Sequence, residues 1–124
     1  MNGSDSEPER ARASCPAAPI DFSHLARYTL GDKALEQEVL ALFAAEAPAT
    51  LGRLRSARTG SAWREAAHTL KGSARAVGAR KVAVLAEEAE RLSGEAERQE
   101  LTRGLQEALE EVVRFIASLG PAKP

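Results

Sequence analysis

Residues 63–78 read WREAAHTLKGSARAVG, and they carry the strongest structural signal in the chain. Its apolar residues recur at three- and four-residue spacing, which predicts an amphipathic helix. The buried stripe of that helix would consist of Trp63, Ala66, Ala67, Leu70, Ala74 and Val77. His68 lies about 200° around such a helix from Leu70 and therefore points toward water. The residues that share its exposed face are Arg64, Lys71, Gly72 and Arg75. An exposed imidazole among cations favours a site for an anionic group, and we expect a phosphoryl group.

The composition argues against several classes of protein. The 124 residues suffice for one domain, and aromatic residues make up only 4% of them, so we expect a core of Leu, Ala and Val between helices. A net charge of −1 gives no general attraction to nucleic acid or to anionic membranes. No apolar run reaches the roughly 18 residues that a membrane span needs, and no signal-peptide segment is recognisable. Cys15 is the only cysteine, so no internal disulfide can form, and we expect a cytoplasmic protein.

The chain divides into three parts by composition. Residues 1–19 are rich in Ser, Glu, Arg and Pro without apolar periodicity, which predicts a disordered leader. A helical domain is expected over residues 20–120, followed by a short tail over residues 121–124.

Capping residues and apolar periodicity define the helices of that domain. Asp21 is the expected N-cap of a short first helix, with Ile20 and Leu25 as a hydrophobic staple, and Gly31 is expected to end this helix. Asp32 would cap a long second helix, which Pro48 should kink. The expected apolar face of the second helix consists of Leu35, Val39, Leu42, Phe43, Leu51 and Leu54. That of the next-to-last helix consists of Val82, Leu85, Ala86, Ala89 and Leu92. That of the last helix consists of Leu101, Leu105, Leu109, Val112, Ile116 and Leu119.

The helix that carries His68 is bounded by two further signals. Ser61 is its expected N-cap, and Gly78 is expected to end it as a left-handed residue. Amphipathic helices joined by short connections predict an all-α fold, namely an antiparallel four-helix bundle with a short extra N-terminal helix.

A histidine that accepts a phosphoryl group needs an exposed ring with one unprotonated nitrogen. Lys71, three residues further along the helix, could neutralise the roughly two negative charges of that group. Gly72, four residues along, would leave room for a partner to approach. Glycine inside a helix costs about 1 kcal/mol relative to alanine, so its presence on the exposed face favours a reason outside the bundle.

Glu90 is brought to the same height by the predicted hairpin. If Gly78 forms the turn, His68 lies ten residues before it and Glu90 twelve after it. At about 1.5 Å per residue these positions are roughly 15 and 18 Å from the turn. We therefore expect the Glu90 carboxylate to accept a hydrogen bond from one imidazole nitrogen and to leave the other nitrogen free to attack.

The segment His68–Ala74, together with Val77, Gly78, Ala79 and Leu85, resembles the signature of histidine-containing phosphotransfer (HPt) domains of the bacterial stand-alone type. The resemblance runs from about Ile20 to Leu119 and includes Thr29–Asp32 and Glu38–Phe43. It implies a four-helix bundle in a multistep two-component phosphorelay. The chain would pass a phosphoryl group between the receiver domains of hybrid histidine kinases and response regulators.

The resemblance also implies roles for individual residues. His68 would be the phosphoacceptor, Lys71 the residue that neutralises the phosphoryl charge, and Gly72 the position that admits the receiver. Some family members have glutamine where this chain has Glu90, and a carboxylate there would repel phosphate.

Two other functions stay open from the sequence. A dimerisation segment of a sensor histidine kinase also presents a histidine on a helix, but an acidic residue typically follows that histidine, whereas Thr69 follows His68. No Gly-rich nucleotide motif occurs before Pro124, so we expect no kinase activity. In an inert helical adaptor, His68 would be replaceable. His24 lacks a Lys-Gly companion and is interpreted as structural. We expect no metal or other cofactor, because two distant histidines and one cysteine make a poor zinc site. We also expect a monomer, because a four-helix core is self-contained.

Overall fold

The computed structural model of this chain describes residues 18–92 and 94–119, and every regular element within them is an α-helix. The helices are α1 (Phe22–Thr29), α2 (Lys33–Arg55), α3 (Gly60–Val77), α4 (Arg80–Arg91) and α5 (Glu95–Ser118). The predicted all-α fold is confirmed. The predicted leader, apart from its last two residues, and the predicted tail lie outside the described residues. Within the described part, no helix is both long enough and apolar enough to cross a membrane.

The four long helices close into a ring around one core. α2 packs on α3, α3 on α4, α4 on α5 and α5 back on α2, while the short α1 lies on α2 and α3. α3 and α4 bury mostly alanine: Ala66, Ala67 and Ala74 from α3, and Ala83, Ala86 and Ala89 from α4. Such small side chains permit a close approach of two helices. The α3–α4 pair is therefore suited to hold surface side chains at a defined separation.

The buried stripe predicted for α3 is confirmed, since all six of its residues lie in the core. The predicted N-cap of this helix is wrong by two residues. Thr59, in extended conformation, accepts a hydrogen bond from the Ala62 amide at 3.0 Å, so that Gly60 and Ser61 already belong to the helix. Threonine satisfies an orphan amide of the first turn as serine would, and the earlier position adds helical length.

The apolar face predicted for α2 is only partly correct. Leu40, Phe43, Ala47, Leu51 and Leu54 point into the core, but Leu35 and Leu42 are exposed by 38% and 56%. Apolar residues surround this alanine-rich helix on several sides, so their periodicity does not single out one face. The helix runs through Pro48 as one element.

The first helix begins as predicted and ends one residue earlier than expected. Asp21 accepts a hydrogen bond from the His24 amide at 3.2 Å, and Asp32 accepts one from the Leu35 amide at 3.1 Å, as N-caps of α1 and α2. The left-handed C-cap of α1 is Leu30, with φ of 57°, and Gly31 follows with φ of 80°.

The turn between α3 and α4 anchors the start of α1. Gly78 ends α3 in the left-handed conformation, with φ of 80°, as predicted. Its carbonyl accepts a hydrogen bond from the Asp21 amide at 2.9 Å, and Arg80 pairs with the Asp21 carboxylate at 3.2 Å. A β-carbon on Gly78 would lie 2.7 Å from the Asp21 carbonyl oxygen. Only glycine therefore combines this backbone angle with this contact.

We expect Gly78→Ala to lower the free energy of unfolding by at least about 2 kcal/mol, because the left-handed angle and the collision with Asp21 both act against alanine. Gly52→Ala is the matched control, since a β-carbon at this exposed helical position meets no atom within 4 Å. The free energy of unfolding of the control should rise by about 0.5–1 kcal/mol, because alanine is more favourable than glycine inside a helix. Urea denaturation of the two variants gives the comparison. Equal stabilities would contradict the requirement for glycine at position 78.

Candidate functional site

His68 stands on the outer face of α3, opposite the buried stripe. Its side chain is 72% exposed, and its Nδ1 atom lies 2.7 Å from the Oε2 atom of Glu90 on α4. The distance falls within hydrogen-bond range. The hairpin through Gly78 therefore places His68 and Glu90 side by side. The remaining edge of the imidazole is open to an incoming group.

Glu90 uses both of its carboxylate oxygens. Oε2 contacts His68, and Oε1 accepts a hydrogen bond from Lys71 Nζ at 2.6 Å. The Lys71 and Glu90 side chains are only 15% and 21% exposed. The hydrogen bond from Lys71, aided by His68, holds the pKa of the Glu90 carboxyl below its ordinary value of 4.5, although partial burial opposes this shift. Glu90 is therefore a carboxylate at neutral pH.

The contact with a carboxylate fixes which nitrogen of His68 carries the proton. An ionised carboxylate can only accept hydrogen bonds, so the proton between Nδ1 and Oε2 belongs to the imidazole. In the neutral ring the other nitrogen, Nε2, then holds an unprotonated lone pair. A nucleophile at Nε2 needs this arrangement.

Lys71 and Gly72 extend the same surface of α3. The sequence predicts that Lys71 neutralises an anion at His68, and in the structure its ammonium group is paired with Glu90. Gly72 is exposed, and a β-carbon at this position would meet no atom within 4 Å. The bundle itself therefore does not require a glycine there.

The other charged residues near this surface differ in their pairing. Arg75 lies 3.5 Å from Glu87, which also lies 3.9 Å from Arg91. Arg64 is exposed, one turn before His68. His24 is on α1, where its amide completes the cap by Asp21. Across residues 18–92 and 94–119, no group of three or more His, Cys, Asp or Glu residues is arranged to hold a metal ion.

A hydrogen bond from a buried tryptophan, which the sequence did not reveal, holds the backbone next to Glu90. Trp63 Nε1 donates a hydrogen bond to the Ala89 carbonyl at 2.6 Å, and the Arg98 guanidinium lies 4.8 Å from the Trp63 ring. Ala89 directly precedes Glu90, so this bond fixes the backbone that carries the carboxylate. A buried indole needs an acceptor, but the sequence contains no signal for which carbonyl supplies it.

Comparison with known protein families gives a match for this chain. The profile described as Hpt domain matches residues 38–116, more than half of the 124-residue chain. The matched range contains all of α3 and α4, the helices that carry the site. Neither the curated proteins nor the solved structures gave a match.

The lowered pKa of Glu90 predicts a difference in acid stability. Its ionised form contributes stability that is present above about pH 4.5 and is lost as the pH falls through the lower folded-state pKa. We therefore expect the free energy of unfolding of the wild type to exceed that of Glu90→Gln by up to about 1 kcal/mol at neutral pH. This difference should disappear on acidification. Urea denaturation of both proteins at several pH values between neutral and about pH 3 measures this difference. Glu87→Gln is the control. A difference in unfolding free energy between the wild type and Glu90→Gln that does not change with pH would contradict the expectation.

Proposed function

This chain belongs to the Hpt domain family, and we propose that it relays a phosphoryl group between receiver domains through phosphorylation of His68. Hpt domains are phosphotransfer intermediates that act with receiver domains and are not kinases. The observation that carries the proposal is the 2.7 Å contact between Nδ1 of the exposed His68 and the Glu90 carboxylate. That contact supports Nε2 as the nucleophile.

In this proposal each side chain of the site has a separate task. His68 Nε2 attacks the phosphorus of an aspartyl phosphate on the incoming receiver domain, and Glu90 orients the ring. Lys71 supplies a positive charge one turn away, where the phosphoryl group brings roughly two negative charges. The receiver contributes the phosphorylated aspartate and its own catalytic groups. This chain contributes a nucleophile and a surface for docking.

Gly72 is assigned the role of admitting the receiver. Glycine in a helix interior is about 1 kcal/mol less favourable than alanine. Packing inside the bundle does not explain this glycine, because a β-carbon at position 72 would meet no atom within 4 Å. Its position one turn after His68 favours a requirement for close contact from outside. Steric access to Nε2 would be that requirement.

The proposal also includes the setting in which the protein acts. We propose a cytoplasmic monomer in a multistep two-component relay, with hybrid histidine kinases and response regulators as its partners. The closed ring of α2, α3, α4 and α5 supports the monomer, since it forms a core without a second chain.

The first test is the transfer of radiolabel from phosphorylated receiver domains. We expect alkali-stable, acid-labile label on the wild type and on His24→Gln, and no label above background on His68→Gln. The His24 variant controls for the loss of a histidine as such. Label on His68→Gln, or no label on folded wild type from any receiver of the source cell, would favour the inert adaptor instead.

A second test concerns access to His68. We expect Gly72→Leu to fold normally and to slow transfer by about 100-fold, since a displacement of roughly 1 Å from reacting geometry can cost this much. Gly52→Leu makes the same change at an exposed helical glycine of α2, where a β-carbon also meets no atom within 4 Å. Rapid-quench measurement of the labelled chain compares the two variants. Wild-type rates for Gly72→Leu would refute the close approach.

A further inference from the structure

The Nδ1 edge and the Nε2 edge of His68 face different surroundings. Nδ1 lies against Glu90, whose side chain is only 21% exposed, whereas the His68 side chain as a whole is 72% exposed. A group that joins Nε2 is attached at the opposite edge of the ring from the contact between Nδ1 and Glu90. The proton on Nδ1 would then keep Glu90 as its neighbour after phosphorylation.

The bonds formed and broken during phosphoryl transfer show why the proton on Nδ1 matters. In the forward step the Nε2 lone pair forms the N–P bond while the P–O bond of the aspartyl phosphate breaks, and the aspartate leaves with the electron pair as a carboxylate. The ring, which still holds its Nδ1 proton, becomes a phospho-imidazolium. In the reverse step a receiver carboxylate attacks phosphorus, and the N–P electron pair returns to Nε2. If Nδ1 keeps its proton the leaving group is neutral imidazole, and if it does not the leaving group is the far more basic imidazolate.

The charges around His68 favour retention of the proton on balance. Glu90 on α4 contacts Nδ1 directly, and the phosphoryl group itself adds about two negative charges. Lys71, Arg64 and Arg75 on α3 oppose retention, but Lys71 is paired with Glu90 and Arg75 with Glu87. From α1 and α2, which also pack on α3, no acidic side chain in the described residues lies within 4.0 Å of an imidazole nitrogen of His68. Glu90 is therefore the acidic side chain that contacts Nδ1 directly.

A glutamine at this position would not have the same effect. Its carbonyl can accept a hydrogen bond from protonated Nδ1, and after rotation its amide can donate one to unprotonated Nδ1. The uncharged amide therefore stabilises both states of the ring. A carboxylate stabilises only the protonated state.

We propose, on the premise that His68 is the phosphoacceptor, that Glu90 is a positioning residue that keeps the Nδ1 proton on phosphorylated His68, so that the ring leaves as neutral imidazole. The carboxylate thus makes His68 an effective phosphoryl donor as well as an acceptor. Transfer from this chain to a receiver should then persist at a pH at which a glutamine-bearing site has already lost its proton.

The test is a pH titration of phosphorylated His68 followed by phosphorus-31 NMR. The full chain in a His24→Gln background is phosphorylated chemically with phosphoramidate, so that only His68 carries the label and no receiver is needed. We expect the titration midpoint of the phosphohistidine signal to fall by about one pH unit in Glu90→Gln, since the loss of an adjacent opposite charge has effects of this size. Glu90→Asp, which keeps the charge, should recover part of the shift. Glu88→Gln removes a charge from an exposed position of the same helix, and it should leave the midpoint unchanged.

Equal midpoints in the wild type and Glu90→Gln would overturn the role of Glu90. An equal fall in Glu88→Gln would also overturn it, because the shift would then reflect the general charge of α4. The chemical route keeps this result separate from the relay itself. A chain that shows the midpoint shift but accepts no label from any receiver would contradict the relay and would leave the effect of Glu90 on the ring established.

Discussion

The left-handed turn at Gly78 positions the side chains of the site relative to one another. It reverses the chain between α3 and α4, and it sets the register in which Arg75 lies near Glu87 and His68 lies near Glu90. The same turn receives the Asp21 amide, so the start of α1 is docked on it. A shift of one residue in α4 would rotate Glu90 by about 100° around its helix and break its contact with the imidazole. The geometry of His68 is therefore set by a backbone angle ten residues away.

The pairing of Glu90 with Lys71 resolves a conflict between attraction and repulsion at the proposed phosphorylation site. A carboxylate near an incoming phosphoryl group is unfavourable by itself, but the ammonium group 2.6 Å from it makes the resting pair neutral. Once a group with about two negative charges is attached to His68, Lys71 stands between two anions, and its flexible stem lets it serve either of them. The carboxylate can then remain on Nδ1 while the lysine offsets the added charge. The two residues are best understood as a unit.

Much of this arrangement was predictable from the sequence because strong local signals agree with each other. The six apolar residues of α3 define one face, Gly78 marks the turn, and a helical rise of about 1.5 Å per residue then places Glu90 at the height of His68. The face of α2 was less predictable, since Leu35 and Leu42 compete with Leu40 and Phe43 and only packing selects between them. The partner of Lys71 and the bond from Trp63 to Ala89 also escaped prediction. Both depend on side-chain contacts between helices that helical periodicity does not encode.

The residues that break local rules in this bundle lie together on one surface. Gly72 weakens a helix without relieving any contact, Lys71 and Glu90 are charged residues that are largely withdrawn from water, and His68 is exposed although its ring holds a defined hydrogen bond. Elsewhere on α3 the sequence agrees with its structure, from the Thr59 cap to the apolar stripe and the glycine at its end. Stability alone would favour alanine at position 72, and it offers no reason for a largely buried ion pair beside an exposed ring. Because these departures converge within about one and a half helical turns of His68 on two helices, a common requirement from outside the bundle explains them better than separate accidents of packing.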